Sequence, residues 1–293
     1  MKNNVTLVLS GGGARGFAHI GAIEEIESRG YKIGSIAGTS MGALVGGVYA
    51  VGKMNEYKEW VYNLDKQNIF KLLDFSFSNQ GLIKGDKVLK TMKEFIPDTN
   101  IEDLKIKYTA TAFDLAQNKE MVFSEGSLYN AIRASISIPT VFTPVISGDA
   151  VLVDGGVVNN IPINNAIRTN NDVLMAVYVN ADIPVHHISL SDKEKRQAIY
   201  IQKINEFKKS LYKFNPSDQR KKIHYFNLMN DTIAAMTNQL ATTIIKNSAP
   251  DILVEISKKS CGTYDFYKAE ELVEIGRCAA REKLDSLMII SPD

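Results

Sequence analysis

Two glycine-rich turns, each between an apolar strand pattern and a helical pattern, constrain this chain more than any other feature. The first turn spans residues 10–16 (S-G-G-G-A-R-G), and the second spans residues 38–42 (G-T-S-M-G). They follow the apolar runs 5–9 and 33–37, which are typical of buried strands. Strand, tight turn and helix, repeated twice, is the pattern of parallel βα units joined by right-handed crossovers. The sequence therefore predicts an α/β fold whose functional groups lie at the carboxyl ends of the strands.

The residue types in the two turns predict a nucleophile and a site for an oxyanion. A G-x-S-x-G turn between a strand and a helix exposes its serine hydroxyl, which here belongs to Ser40. A glycine turn at the start of a helix offers free backbone N–H groups to an anion. Residues without Cβ let a substrate approach the backbone, so we expect an oxyanion hole at Gly11, Gly12 and Gly13. The expected donors are the N–H groups of Gly12 and Gly13, and Met41 is expected to supply a further one.

A serine nucleophile needs a base, and the chain offers a carboxylate and four histidines. Asp154 follows the apolar run 151–153 and precedes two glycines that allow a close turn. An aspartate serves as base only if it bonds the serine directly and burial raises its pKa above about 3.9. His19 follows the glycine loop and is expected to have a packing or capping role. The other histidines lie in or beside a basic helical segment and lack the context of a catalytic base: His186, His187 and His224.

Three motifs in this order, G-G-G-x-R-G, G-x-S-x-G and D-G-G, resemble those of the patatin-like phospholipase family. Residues 133–139 (R-A-S-I-S-I-P), 142–144 and 157–162 (V-V-N-N-I-P) are also similar to sequences of that family. The resemblance is dense over residues 5–180 and looser over the rest.

This resemblance implies a three-layer α/β/α fold with a mostly parallel central sheet and a helical insertion. It implies a Ser-Asp dyad of Ser40 and Asp154, an acyl-serine intermediate, and phospholipase A or lysophospholipase activity with no metal and no cofactor. Arg15 matches the basic position of the family, where it braces the loop or attracts a phosphate. The remaining motif glycines are Gly16, Gly38, Gly42, Gly155 and Gly156.

The same residues also allow other functions. The first glycine turn also satisfies the dinucleotide-binding pattern, but that function calls for an acidic residue about 20 residues later, where Gly38, Thr39 and Ser40 stand. A short-chain esterase, a thioesterase or an acyltransferase would use the same acyl-enzyme. A catalytically idle lipid-binding module belongs to a different class, and labelling by a fluorophosphonate would argue against it.

Composition limits the partners and the cellular location. The 34 Lys and Arg residues balance 33 Asp and Glu residues, so the overall charge does not indicate a nucleic-acid partner. Cys261 and Cys278 lack the spacing of a metal site or a disulfide framework, which agrees with a cytoplasmic protein. We find neither a signal-peptide pattern nor an apolar run long enough to span a membrane. The chain is therefore expected to meet lipid from the aqueous side.

The whole chain, residues 1–293, is expected to form a single catalytic domain with a helical, basic subregion over residues 190–246 and a closing strand and helix over 250–290. Residues 193–222 carry a surplus of basic residues, which indicates either contact with an anionic membrane or a solvated helix face. The aromatic run 70–77 belongs to a core-covering helix pair or to a rim that meets acyl chains.

Overall fold

A computed structural model describes residues 3–65, 86–139, 141–185 and 225–290. Its strands are β1 (Asn4–Leu9), β2 (Lys32–Thr39), β3 (Lys107–Asp114), β4 (Lys119–Phe123), β5 (Val145–Ser147), β6 (Ala150–Asp154), β7 (Val173–Ala181) and β8 (Ile252–Ser257). Its α-helices are α1 (Ala18–Ser28), α2 (Met41–Ala50), α3 (Met54–Tyr62), α4 (Asp86–Met92), α5 (Leu128–Ser135), α6 (Tyr225–Ser248) and α7 (Ala269–Ile290). A short 3-10 helix, Gly13–Phe17, leads from the first glycine turn into α1.

The eight strands form one sheet in the order β5-β6-β3-β2-β1-β7-β8, with β4 beside β3. The centre is parallel, since β1 pairs in parallel with β2 and β7, and these pair in parallel with β3 and β8. Strand β1 is buried from Val5 to Leu9, as its apolar run predicts for a strand covered on both faces. The predicted mostly parallel α/β fold is confirmed.

Helices and loops cover both faces of the sheet, which gives the predicted three layers. On one face, α1, α2 and α7 bury the large apolar cluster that includes Leu7, Leu9 and Val177. The opposite face, which includes Val8 and Ala176, packs against the segment after β6 and against α6. Strands β1 and β2 include the predicted apolar runs 5–9 and 33–37 and extend one or two residues beyond them.

Two strands meet end to end along one edge of β3. Strand β2 runs parallel to β3 and ends with Thr39 opposite Thr111. Strand β6 runs antiparallel to β3 and ends with Asp154 opposite Ala112, the next residue. Because β4 pairs with both of these β3 residues, it occupies the other edge, and β2 and β6 share this one. The residue after β2 and the last residue of β6 therefore come together.

Several sequence expectations fall outside the described residues. These are the basic segment 193–222, the aromatic run 70–77, and the histidines at positions 186, 187 and 224. The described part of the predicted basic subregion is helix α6, in which Asp231 and Lys246 are the charged residues. Within the described ranges, no helix is both long and apolar enough to cross a membrane. The assignment of the whole chain to one domain stays a prediction.

Candidate active site

The serine of the second glycine turn lies on a strained junction between β2 and α2. Ser40 has φ 55° and ψ −123°, a backbone conformation that residues other than glycine rarely adopt. Its N–H donates to Ser135 Oγ at 2.8 Å, and this hydroxyl donates to the Thr111 carbonyl at 2.6 Å. Gly42 lets α2 start close to β1, because a Cβ there would overlap the Leu9 carbonyl. The turn is therefore held by neighbours on two strands and α5.

Asp154 ends β6 and lies next to Ser40. Both side chains line the same pocket, and the interaction with Ser40 lowers the pKa of the Asp154 carboxyl group. The carboxylate accepts a hydrogen bond from the Gly156 N–H at 2.7 Å, and the Asp154 N–H donates to the Ser137 carbonyl at 2.9 Å. Gly155 allows this turn to pass close to β3, since a Cβ there would overlap the Thr111 carbonyl. The carboxyl group is thus oriented by its own backbone and directed to the serine.

Burial raises the pKa of Asp154 to about 6, while the interactions with Ser40 and Gly156 act in the opposite direction. The side chain is nearly inaccessible to water, with 5% of the residue surface exposed. Desolvation disfavours the charged carboxylate and so increases its affinity for a proton. A carboxylate with a raised pKa accepts the proton of a serine hydroxyl more readily than an exposed aspartate does.

Only part of the first glycine turn can donate hydrogen bonds to an oxyanion. The Gly11 N–H already donates to the Asn160 carbonyl at 2.9 Å, so this group is engaged within the protein and we do not count it among the free donors. By contrast, the backbone N–H groups of Gly12, Gly13 and Met41 have no acceptor among the described residues. Gly12 and Gly13 line the same pocket as Ser40 and Asp154. These N–H groups are available to a bound ligand.

The glycines of this turn also leave space for the protein's own atoms. A Cβ on Gly11 would overlap the Asn160 side chain, and one on Gly12 would overlap the Val179 side chain. Gly13 has φ +57° and lies against Thr263. We expected the missing Cβ atoms to admit the substrate, but the tight packing of the loop against β7 and neighbouring loops already requires glycine there.

Arg15 braces the glycine turn rather than pointing freely into solvent. Its guanidinium donates to the carbonyls of Val179 at 3.2 Å and Cys261 at 3.1 Å, and to Asn180 Oδ1 at 3.0 and 2.7 Å. Burial lowers the pKa of Arg15 from its usual value. These four hydrogen bonds favour the loop-bracing role of the two that the sequence left open.

Sequence reasoning missed three polar residues that hold the site together: Ser135, Asn160 and Asn180. Asn180 is the penultimate residue of β7, and its amide links Arg15 to the Gly11 carbonyl. Asn160 holds the Gly11 N–H through its own carbonyl. Ser135 and Asn160 lie in the stretches that resemble the family, and Asn180 follows an apolar strand pattern. Nothing in those local patterns indicates which distant backbone groups the side chains meet.

His19 has a structural role in the described part of the chain. Its ring Nε2 donates to the Ser10 carbonyl at 2.8 Å, because a carbonyl can only accept. The ring is fully buried, and this lowers the pKa of His19 to about 4. A neutral imidazole bound to the backbone beneath the glycine turn agrees with the expected packing role.

Two pockets of different character meet at Ser40. The more polar of the two, here called the polar pocket, has a volume of about 170 Å³ and is bounded by the glycine turn, Asp154, Asn180 and one side of α6. The apolar pocket has a volume of about 110 Å³ and is bounded by α2, α3 and α4, with Leu44, Trp60 and Val88 among its walls. Gly13, Ser40 and Ile138 line both. A group attached to the serine therefore has an apolar and a polar direction in which to extend.

Comparison with known proteins indicates the family of this chain. The family model described as patatin-like phospholipase matches residues 7–167, which include both glycine turns and Asp154. An NTE family protein of Mycobacterium bovis is 31% identical over 97% of this chain and 92% of its own length. The lysophospholipase NTE1 of Kluyveromyces lactis is 26% identical over 97% of this chain, which corresponds to 19% of that larger protein.

A solved structure shares the fold at low sequence identity. VipD from Legionella pneumophila aligns with 97% of this chain and 67% of its own chain, with a TM-score of 0.51 and 14% identity. At this identity the likeness concerns the arrangement of the sheet and helices alone.

Proposed function

This chain belongs to the patatin-like phospholipase family, and we propose that it is a serine lipid acyl hydrolase that cleaves carboxylic esters of phospholipids or lysophospholipids. Family membership supports lipid hydrolysis in general, and the finer assignment rests on the site. The observation that carries it is the buried Asp154 carboxyl group, whose pKa is raised to about 6 and which lies beside the Ser40 side chain on a strained turn.

In the proposed reaction, Asp154 takes the hydroxyl proton as Ser40 Oγ attacks the ester carbonyl carbon. The carbonyl oxygen becomes an oxyanion, for which the N–H groups of Gly12, Gly13 and Met41 are the proposed donors. The intermediate collapses by breaking the bond to the alcohol, which leaves with the proton from Asp154. Water then attacks the acyl-serine and gives its proton to Asp154. Breaking the second intermediate releases the fatty acid and returns the proton to Ser40.

The two pockets support a lipid ester as the substrate. The apolar pocket is suited to the acyl chain, and the polar pocket, with Asn180 and Arg15 in its walls, is suited to the alcohol and head group. A soluble short-chain ester, a thioester or an acyl acceptor other than water would use the same acyl-serine. We therefore keep esterase, thioesterase and acyltransferase activity as the alternative.

Purified protein incubated with phospholipids and lysophospholipids tests the proposal, with released fatty acid measured by mass spectrometry and Ser40→Ala as the control. Release of fatty acid by the wild type but not by Ser40→Ala is the expected result. Turnover of short soluble esters without any lipid hydrolysis would favour the alternative.

The proposal includes action in the cytoplasm. It also includes peripheral contact with anionic membrane surfaces, as the basic segment 193–222 suggests.

The pH dependence of kcat/KM should report the buried carboxylate. Because Asp154 acts as base only when ionised, we expect kcat/KM for a neutral ester to fall to half its maximum near pH 6 as the pH decreases. His19 does not contribute, since its pKa is about 4. Measurement at two temperatures identifies the group, because a carboxyl pKa is nearly independent of temperature and an imidazole pKa falls on warming. A midpoint near 4, or one that falls on warming, would contradict the assignment.

Filling the apolar pocket should shorten the acyl chains that the enzyme accepts. Val88 lies on α4 in the pocket wall, so Val88→Phe reduces the space for the chain. Each methylene kept out of an apolar environment costs about 0.8 kcal/mol, so excluding two lowers kcat/KM about 10-fold for longer esters relative to acetyl esters. Lys90→Phe, an exposed change on the same helix, is the matched control. Equal chain-length profiles for both variants would show that acyl chains bind elsewhere.

A further inference from the structure

The orientation of one peptide group decides whether the glycine turn can donate a hydrogen bond to an oxyanion. In a trans peptide the carbonyl and the N–H point in opposite directions. The Gly11 carbonyl and the Gly12 N–H belong to the same peptide group. A group that binds the Gly11 carbonyl therefore also sets the direction of the Gly12 N–H. This N–H has no acceptor among the described residues, and Gly12 borders the polar pocket.

Asn180 provides the principal hold on that carbonyl. Its Nδ2 donates to the Gly11 oxygen at 2.6 Å, whereas Asn160 Nδ2 reaches the same oxygen only at 3.4 Å. The bond from Asn180 is short and the one from Asn160 is longer than the usual N–H···O distance, so Asn180 dominates. Asn180 is itself 5% exposed, so water does not compete freely for its amide.

The two ends of the Asn180 amide cannot exchange places. Its Oδ1 accepts from Arg15 Nε at 3.0 Å and from Arg15 Nη2 at 2.7 Å. A guanidinium only donates hydrogen bonds and a carbonyl only accepts them, so the amide nitrogen must face Gly11. Arg15 is in turn tied to the carbonyls of Val179 and Cys261. The amide is thus fixed at both ends by groups that allow a single orientation.

We propose that Asn180 is a positioning residue for the oxyanion hole, which holds the Gly11–Gly12 peptide with its N–H directed to the reacting carbonyl oxygen. Asn180 acts through the peptide and does not need to touch the substrate. Arg15 acts one step further away by orienting the Asn180 amide. This inference rests on the proposed function, because an oxyanion forms only if Ser40 attacks a carbonyl group.

Asn180→Asp is the sharpest test, because the carboxylate has the same shape and still accepts from Arg15 but has no N–H to donate to Gly11. Asn180→Leu removes the donor without adding charge, and Asn180→Ala replaces it if the leucine variant does not fold. We expect each to lower kcat about 100-fold for p-nitrophenyl butyrate, the scale of one lost oxyanion donor, with little change in KM. Thermal unfolding shows which variants are folded at the assay temperature.

A thionoester separates positioning from a general structural defect. Sulfur is a weak hydrogen-bond acceptor, so a C=S substrate draws little stabilisation from the oxyanion hole. The ratio of kcat/KM for the oxoester to that for its thionoester should therefore fall at least 10-fold in the variants. Equal loss on both substrates, or a loss in Asn180→Asp alone, would overturn the inference. If the wild type shows no Ser40-dependent hydrolysis at all, the proposed function fails, and the inference fails with it.

Discussion

Ser40→Ala and Asp154→Asn are expected to abolish ester hydrolysis without unfolding the protein. Removal of the nucleophile leaves no route to an acyl-enzyme, and removal of the base should lower kcat by at least about 10³-fold. The Asp154 carboxylate lines the same pocket as Ser40, and no histidine in the described residues is placed to substitute for it. Rates with a soluble ester and with a lysophospholipid measure this directly.

The stability of Asp154→Asn should rise with pH relative to the wild type. The pKa of Asp154 is higher in the folded chain than in the unfolded chain, so the ionised carboxylate destabilises the fold above pH 6. The increase in the pKa, from 3.8 to about 6, corresponds to roughly 3 kcal/mol in the free energy of unfolding. We expect Asp154→Asn to be more stable by up to this amount at pH 8 and to lose the advantage between pH 6 and pH 4.

Matched changes on the neighbouring hairpin provide the controls. Asp149→Asn and Ser147→Ala make the same chemical changes at exposed positions of the β5–β6 hairpin, and both should keep wild-type rates. Substitution of the four histidines one at a time should also leave substantial turnover. Full activity in Asp154→Asn, or a loss in a histidine variant as large as in Ser40→Ala, would restore a histidine-based mechanism.

Gly276→Ala should destabilise the fold by at least about 3 kcal/mol, because helices α1 and α7 cross with their backbones in contact. A Cβ on Gly276 would overlap the Ala18 carbonyl, and one on Gly21 would overlap the Val273 carbonyl. Backbone atoms cannot move aside as a flexible side chain does, so the helices must separate. Soluble yield and the free energy of unfolding in urea measure the effect, which Gly21→Ala should share.

Gly34→Ala is the matched control for this crossing. Its added Cβ would lie 3.9 Å from the nearest atom of the Thr169 side chain, an ordinary van der Waals contact. The expected change is within about 1 kcal/mol of the wild type, since glycine to alanine also reduces the entropy of the unfolded chain. A Gly276→Ala protein as stable as Gly34→Ala would show that α1 and α7 do not pack this closely.

Local patterns predicted the parallel βα units. A buried strand, a glycine turn and an amphipathic helix are each encoded within about ten residues, so the turns at residues 10–16 and 38–42 could be placed from sequence. The Ser40–Asp154 dyad was nominated by the resemblance of three motifs, in order, to those of a known family. The strain at Ser40 likewise follows from the G-x-S-x-G pattern.

Tertiary structure decided which of these groups meet and which donors are free. Ser40 and Asp154 come together because β2 and β6 meet end to end against β3, where residue 39 pairs with 111 and residue 154 pairs with 112, and no local pattern encodes these pairings. Gly11 differs from Gly12 because Asn160, far along the chain, takes its N–H. Asn180 acquires its position because β7 lies beside β1. Periodicity and turn chemistry act between near neighbours in sequence, whereas these contacts arise only when distant strands pair.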